Sequence, residues 1–250
     1  KEEDTNLLVN RELMNAMNAY YLWYDKMPAV NYADFPGPIE LLDALMYKEL
    51  DRWSYITTKQ QLKAYYTAGE YIGFGIGLAF DANEQLWITF IFNDSPLKSF
   101  GADRGWRISA IDGTTPTPSN TNSLLGPSTV GVTRTFTLLS PELEVVSATV
   151  TKRALTMNSV LLDTTYTINS SKIGYFVLQS FIGPTIDELN STFSKFIDYG
   201  VTNLIIDLRY NGGGSIATAS HLANLIAGNV ANQQVLGTYV HNNKQSHRNN

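Results

Sequence analysis

Asp207-Leu-Arg-Tyr-Asn-Gly-Gly-Gly214 is the stretch whose residue types and spacing can do chemistry. Successive glycines reach backbone conformations barred to residues that carry a Cβ. Their N–H groups can then converge on a single anion. Leu204–Leu208 reads as a nearly all-apolar strand, and a helix is expected after the glycines to about Ala227. The bend would therefore lie beyond the carboxyl end of a parallel strand, where open α/β sheets bind ligands, and a helix dipole would add to the attraction. The anion could be a phosphate or the oxyanion of acyl transfer. A phosphate loop ends in Gly-Lys-Ser/Thr, and no lysine follows Gly214, so that reading is weak. A tight strand-to-helix turn without chemistry stays open on spacing alone.

The other reactive side chains carry less. Ser215 could be a nucleophile, but no general base is visibly placed for it, and a serine there caps the following helix. Asp207 and Arg209 could be catalytic; such a pair at a strand end more often forms a structural ion pair. His221 falls in the expected helix as a packed or solvent-facing residue. His241 and His247 lie in a polar tail without a nearby carboxylate, so no metal site is expected. Cysteine is absent, which excludes disulfides, thiolate metal sites and a cysteine nucleophile. Gly73-x-Gly-x-Gly77 lacks the third-glycine spacing and the following helix of a dinucleotide loop, and no cofactor is expected.

The elements that must position the glycine bend follow from periodicity. Ile173–Phe181 reads as a strand. Thr185-Ile-Asp-Glu188 is a capping box opening a helix, with Ile186, Leu189, Phe193, Phe196 and Ile197 on one face and Gly200 as its stop. With Leu204–Leu208 and its helix this is β-α-β-α order, a parallel pair with a crossover. The apolar Leu204–Leu208 run implies a strand covered on both faces.

Upstream, residues 70–155 carry short strands: Gln85–Phe92, Trp106–Ile111 before the tight turn Asp112-Gly113, and a hairpin of Val130–Leu139 and Leu143–Arg153 around Ser140-Pro141. Ser95–Gly101 reads as one helical turn, and residues 117–125 as a short helix. Residues 1–67 read as helical. Asn10 is placed to cap a helix that runs through Leu13, Met14, Met17, Tyr20, Tyr21 and Tyr24 to Pro28. The Tyr/Trp cluster at 20–24 is expected in its core. A second helix spans 38–50 with Pro38 at its first position. Thr58-Lys-Gln-Gln61 opens a third, closed near Gly69. His241–Asn250 is polar and expected to be exposed.

The chain has 250 residues, 44% of them hydrophobic and 12% aromatic, with a formal net charge of −5. That is a globular composition. Without a Lys/Arg block, nucleic acid is not an expected partner. No run of about 18 apolar residues suggests a bilayer span. Lys1-Glu-Glu-Asp-Thr5 has no apolar h-region, so a signal peptide is either absent or removed, and composition does not decide the compartment.

Together, Ile173-Gly-Tyr-Phe176, Phe181, Thr185, the amphipathic helix and Leu204-Ile-Ile-Asp-Leu-Arg-x-Asn-x-Gly-Gly214 resemble the core of the C-terminal processing serine peptidases, the tail-specific or S41 family. That family usually has Asn-Pro-Gly-Gly where this chain has Asn211-Gly-Gly-Gly214. Gly75-Ile-Gly-Leu78, Ser95–Gly101 and Arg104–Gly113 resemble the PDZ module that the family inserts before its core, with Trp106 where an aspartate is usual. Tyr20–Pro28 and Asp51–Ile56 resemble the helical segment of secreted members from Bacteroidetes-like bacteria.

The resemblance implies an α+β fold: a helical segment (1–69), a PDZ-like β-domain (70–155) and the first βαβα part of an α/β core of the ClpP or crotonase type (156–250). It implies acyl transfer by a Ser–Lys dyad, the lysine neutralised by burial. The family carries this pair in a Ser-Ala-Ser/Ala-Glu-like segment well downstream, and none occurs before Asn250. The chain alone is thus expected to be inactive. Gly213 and Gly214 are its oxyanion donors by resemblance. Gly75, Ile76, Gly77, Leu78, Ala79 and Phe80 would capture a polypeptide through its C-terminus, the amides binding the carboxylate and Leu78–Phe80 pairing as a strand. The implied location is extracytoplasmic. An inactive peptide-binding relative, or a carbohydrate- or lipid-retinoid-binding protein on the same core fold, are the alternatives.

Overall fold

The computed structural model describes residues 5–249. These form two contact units, residues 5–59 with 232–249, and Gln60–Ala231.

The first unit is built on two helices, α1 (Thr5–Tyr20) and α2 (Pro38–Leu45). Met17 and Tyr21, one helical turn apart, bury against Leu41, Leu42 and Leu45. Each leucine so buried contributes about 1.5–3 kcal/mol. Tyr20 points out to solvent, so only part of the 20–24 aromatic cluster is core. Asn10 is not a cap. It lies inside α1, fully buried, and its amide donates to the carbonyls of Tyr32 (3.1 Å) and Phe35 (3.0 Å). A short polar side chain serves either purpose, which is why the pattern misleads.

The helix stops at Tyr20, well before Pro28, as the Tyr21 hydroxyl bonds Asp51 Oδ2 (2.8 Å) and accepts from the Tyr47 amide (2.9 Å). Proline does occupy the first position of α2, but that helix ends at Leu45, where Met46 turns extended. The polar segment 241–249 is not free. Asn242 is buried and donates to Ala19 O (3.1 Å) and Tyr21 O (2.9 Å), while Lys244 Nζ reaches Asn18 O (2.7 Å). These groups satisfy carbonyls that the end of α1 leaves without helical partners.

α3 (Lys59–Lys63) leads into the second unit, followed by a π-helical turn closed by Gly69 in the left-handed conformation. There follow β1 (Glu70–Gly73), β2 (Ile76–Phe80), β3 (Leu86–Ile91), β4 (Arg107–Ile111), α4 (Thr121–Leu125), β5 (Thr133–Leu139) and β6 (Val145–Thr151). Strands β2 to β6 make one antiparallel sheet in sequence order. Its core is Phe74, Leu86, Ile88, Leu97, Ile108, Ile111, Phe136 and Leu138. The expected elements are here: a 3-10 turn at Pro96–Phe100 capped by Ser95, an Asp112-Gly113 turn with both φ positive, and a β5–β6 hairpin. β7 (Arg153–Thr156) pairs with β1 instead of extending that hairpin.

The remaining elements are β8 (Val160–Ile168), β9 (Ser171–Leu178), α5 (Thr185–Tyr199), β10 (Asn203–Asp207) and α6 (Ile216–Ala227), with the strands in order β10-β9-β8. β10 runs parallel to β9 and β8 antiparallel to it. Both helices cover one face, burying Phe176, Leu178, Leu189, Phe196 and Leu222. The capping box is not formed: Thr185 Oγ1 donates to Ser180 O, and Glu188 reaches the start of β8. There its Oε2 accepts from Ser159 Oγ (2.9 Å) and Val160 N (2.6 Å). Burial raises the Glu188 pKa, against those hydrogen bonds. A raised folded-state value means stability is lost as pH rises through the ordinary glutamate range towards it. Glu188→Gln keeps the acceptor and removes the titration. In thermal unfolding its stability is expected to gain on the parent's as pH rises from about 4 to 7. A parallel pH dependence in both proteins would refute this.

Candidate active site

β10 delivers the glycine bend. Leu204 and Ile206 face the helices, in register with Gly174 and Phe176 of β9. Gly174 is needed there because the Phe196 ring sits 2.9 Å from where a Cβ would be. Among the described residues the strand is covered on one face, not on both as its apolar run implied: Ile205 is 51% exposed. Among the described residues β10 pairs with β9 alone, and its helices lie on one side.

Asp207, at the end of β10, is buried and holds two neighbours, Arg209 and Tyr175. Its Oδ1 accepts from the Arg209 amide (3.0 Å) and Nε (2.9 Å), and its Oδ2 from Tyr175 OH (2.8 Å) and a second Arg209 nitrogen. The Arg209 guanidinium holds the Asp207 carboxyl well below its usual range, although burial acts the other way. Burial, then the Asp207 carboxylate, raises the Tyr175 phenol. The pair is thus a structural anchor that starts the bend in a fixed direction. In the sequence Tyr175 stands only as part of the Ile173–Phe176 resemblance, with no role of its own, although alternation along β9 puts it on the Asp207 face.

The bend is fixed next by Asn211. Its backbone N–H donates to Leu208 O (2.9 Å), its Nδ2 to Leu178 O (3.3 Å), and its Oδ1 accepts from Gly213 N (2.8 Å). The chain then bridges Phe181 in parallel fashion: Phe181 N donates to Gly213 O (2.9 Å) and Ser215 N to Phe181 O (2.7 Å). The residue between, Gly214, turns its own N–H and C=O away from Phe181. Its N–H donates to no group among the described residues. Gly213 and Gly214 have φ of 103° and 140°. A Cβ on Gly214 would stand 2.1 Å from Phe181 O.

The two oxyanion candidates therefore differ: the Gly213 amide is occupied and the Gly214 amide is open. Ser215 caps α6, its Oγ accepting from Thr218 N (3.3 Å). His221 Nε2 meets Asn190 Oδ1 (2.8 Å). His241 stands in the other unit, where its amide meets Asn249.

Gly75–Phe80 forms the other candidate region. Gly75 has φ 76°, and a Cβ there would meet Ser95 Cβ at 2.6 Å. Its O accepts from Phe92 N (2.8 Å). From Ile76 on, β2 is an edge strand, paired with β3 alone and bulged between Gly77 and Leu78. Its outer edge is open to a further strand among the described residues. Ile76, Leu78 and Phe80 line the same core as Leu124 and Leu125 of α4. The Phe90 ring covers Gly77 and lies 5.8 Å from the Tyr210 ring, over which Arg104 also stacks at 5.5 Å. The glycine bend and the β2 edge are thus joined through Tyr210, which residue spacing gave no means of finding.

Two family models match the chain: Peptidase S41 N-terminal domain over residues 9–55 and Peptidase family S41 over residues 172–250. A "Probable CtpA-like serine protease" of Staphylococcus haemolyticus is 27% identical over 187 residues, covering 72% of this chain and 36% of that protein. Among solved structures, a protein of Bacteroides fragilis NCTC 9343 assigned to the S41 proteases aligns with TM-score 0.65 and 23% identity, over 96% of this chain and 64% of that one. The photosystem II D1 C-terminal processing protease aligns with TM-score 0.48 and 20% identity, over 89% and 65%. The chain thus spans about a third of the curated relative and under two thirds of these structures.

Proposed function

Because the chain belongs to peptidase family S41, we propose that it forms part of a serine endopeptidase of the C-terminal processing type. Acyl transfer would use a Ser–Lys dyad that follows Asn250, with Gly214 supplying an oxyanion donor. What carries this reading is the open Gly214 amide, fixed at the carboxyl end of a parallel strand and beside the N-terminus of α6. Such a donor is rigid before the reaction starts, which is the condition for stabilising developing negative charge. In this reading residues 70–155 are a PDZ-like module and residues 156–250 the first part of a ClpP- or crotonase-like core. Gly75 to Phe80 would select or gate a polypeptide by its C-terminus, the substrate adding to the open β2 edge. Action outside the cytoplasm is part of the same proposal.

The open β2 edge also favours a second reading, a peptide-binding relative without catalysis. One experiment separates the two. The full-length protein is given a fluorogenic peptide with an apolar C-terminal tail, and cleavage and binding are measured together. Turnover that disappears on mutation of the downstream serine to alanine supports the peptidase. Tight binding of the tail with no turnover supports the second reading. The chain ending at Asn250 is expected to give no turnover.

A further inference from the structure

We propose that Asn211 is a positioning residue that leaves the glycine bend a single oxyanion donor, Gly214, by taking the Gly213 amide out of the reaction. This rests on the peptidase reading above. Asn211 uses both ends of its side-chain amide: Oδ1 accepts from Gly213 N at 2.8 Å, and Nδ2 donates to Leu178 O, the last carbonyl of β9, at 3.3 Å. Gly213 N–H is thereby turned back into the bend and cannot face a substrate carbonyl. Its carbonyl is presented to Phe181 N instead (2.9 Å). That bond and the one from Ser215 N hold Gly214 in register opposite Phe181, with its amide on the open side.

Without the side chain, nothing else among the described residues accepts from Gly213 N. Its φ of 103° is open to glycine alone, and no neighbour lies within 4 Å of a Cβ there. Gly213 would then be free to swing, and the Gly214 donor would lose its fixed direction. A donor that must be reoriented during the reaction stabilises the oxyanion less than one held ready.

The test has two arms. In the 250-residue chain, amide hydrogen exchange followed by NMR is expected to show Gly213 protected and Gly214 unprotected. Asn211→Ala should erase the Gly213 protection. Asn211→Asp, which keeps the acceptor but cannot donate to Leu178 O, should retain part of it. In the full-length protein Asn211→Ala is expected to lower kcat by about 10²-fold, with KM within about twofold. Affinity for a peptide boronic acid, which mimics the tetrahedral intermediate, should fall by the same factor as kcat.

A Gly213 amide that exchanges as fast as Gly214 in the unsubstituted chain overturns the proposal. So does an unchanged kcat in Asn211→Ala. A variant that lowers kcat through general loosening would lose Gly174 and Phe176 protection in β9 too, and that result also counts against a positioning role. Absence of any cleavage by the unsubstituted full-length protein instead overturns the peptidase reading. The Gly213 exchange result would then still report whether the Asn211 bonds exist.

Discussion

Gly214→Ala is expected to cost more than any other single methyl in the chain, lowering stability by about 2–4 kcal/mol and cleavage by the full-length protein by 10²-fold or more. Two independent effects add. The new Cβ would sit 2.1 Å from Phe181 O and 2.7 Å from its carbonyl carbon, both backbone atoms that cannot rotate away. The φ of 140° is closed to residues with a Cβ and costs about 1–3 kcal/mol where it is forced. Relief requires the bend to leave Phe181. That breaks the Phe181 N to Gly213 O and Ser215 N to Phe181 O bonds, worth about 1 kcal/mol each, and moves the open amide. Gly212→Ala is the control, since no atom lies within 4 Å of its Cβ position. Thermal unfolding of both variants decides the matter. A Gly214→Ala chain that melts with its parent would mean the bend lies further from Phe181 than described.

Asp207→Ala is expected to be the second largest, at about 1–3 kcal/mol. The carboxylate is buried and accepts from Tyr175 and from two nitrogens of the Arg209 side chain. Removing it leaves the Tyr175 hydroxyl without its acceptor. Arg209 is 66% exposed and can return to water, so its share of the loss is small. The pH dependence follows from the direction of the shift. Asp207 is held below its usual value in the folded state. Its contribution is therefore complete above about pH 4, the unfolded carboxyl range, and drains away as pH falls below that. The stability gap between parent and variant should be flat from pH 7 to about 5 and close in stronger acid. Arg209→Lys should reproduce part of the loss, because an ammonium cannot bond both carboxylate oxygens as a guanidinium fork does. A gap that widens in acid would refute the assignment.

The parts of this fold that are legible in the sequence are those dictated by short-range chemistry. Gly200 ends α5, Gly101 ends the Pro96 turn, and Ser215 caps α6, because each rests on one residue's φ or one hydroxyl within three residues. What failed was set by partners distant in sequence. Asn10 looked like a cap because the carbonyls of Tyr32 and Phe35 that bury it cannot be seen from position 10. Glu188 fits a capping box by spacing, yet bonds Ser159 and Val160 across the sheet.

β8 passed unremarked although its signal was present. Val160–Ile168 is rich in β-branched residues, and Asn169-Ser170 supplies two residues with positive φ for the turn into β9. In the site, the triple glycine gave the place of the bend. It did not say which amide is free, since that depends on the amide of Asn211 and the backbone of Phe181.

The helical unit has a consequence for the order in which the molecule can be made. Residues 5–59 have their polar lock, Asn242 and Lys244 on the end of α1, at the other end of the described sequence. Everything from Gln60 to Ala231 must leave the ribosome before that lock exists. At about 5–20 residues per second, α1 and α2 wait on the order of ten to thirty seconds with Asn18, Ala19 and Tyr21 carbonyls facing water. Until then the nascent helices are held by their own small apolar contact, and residues 5–59 become protease-resistant only after residues 232–249 have emerged.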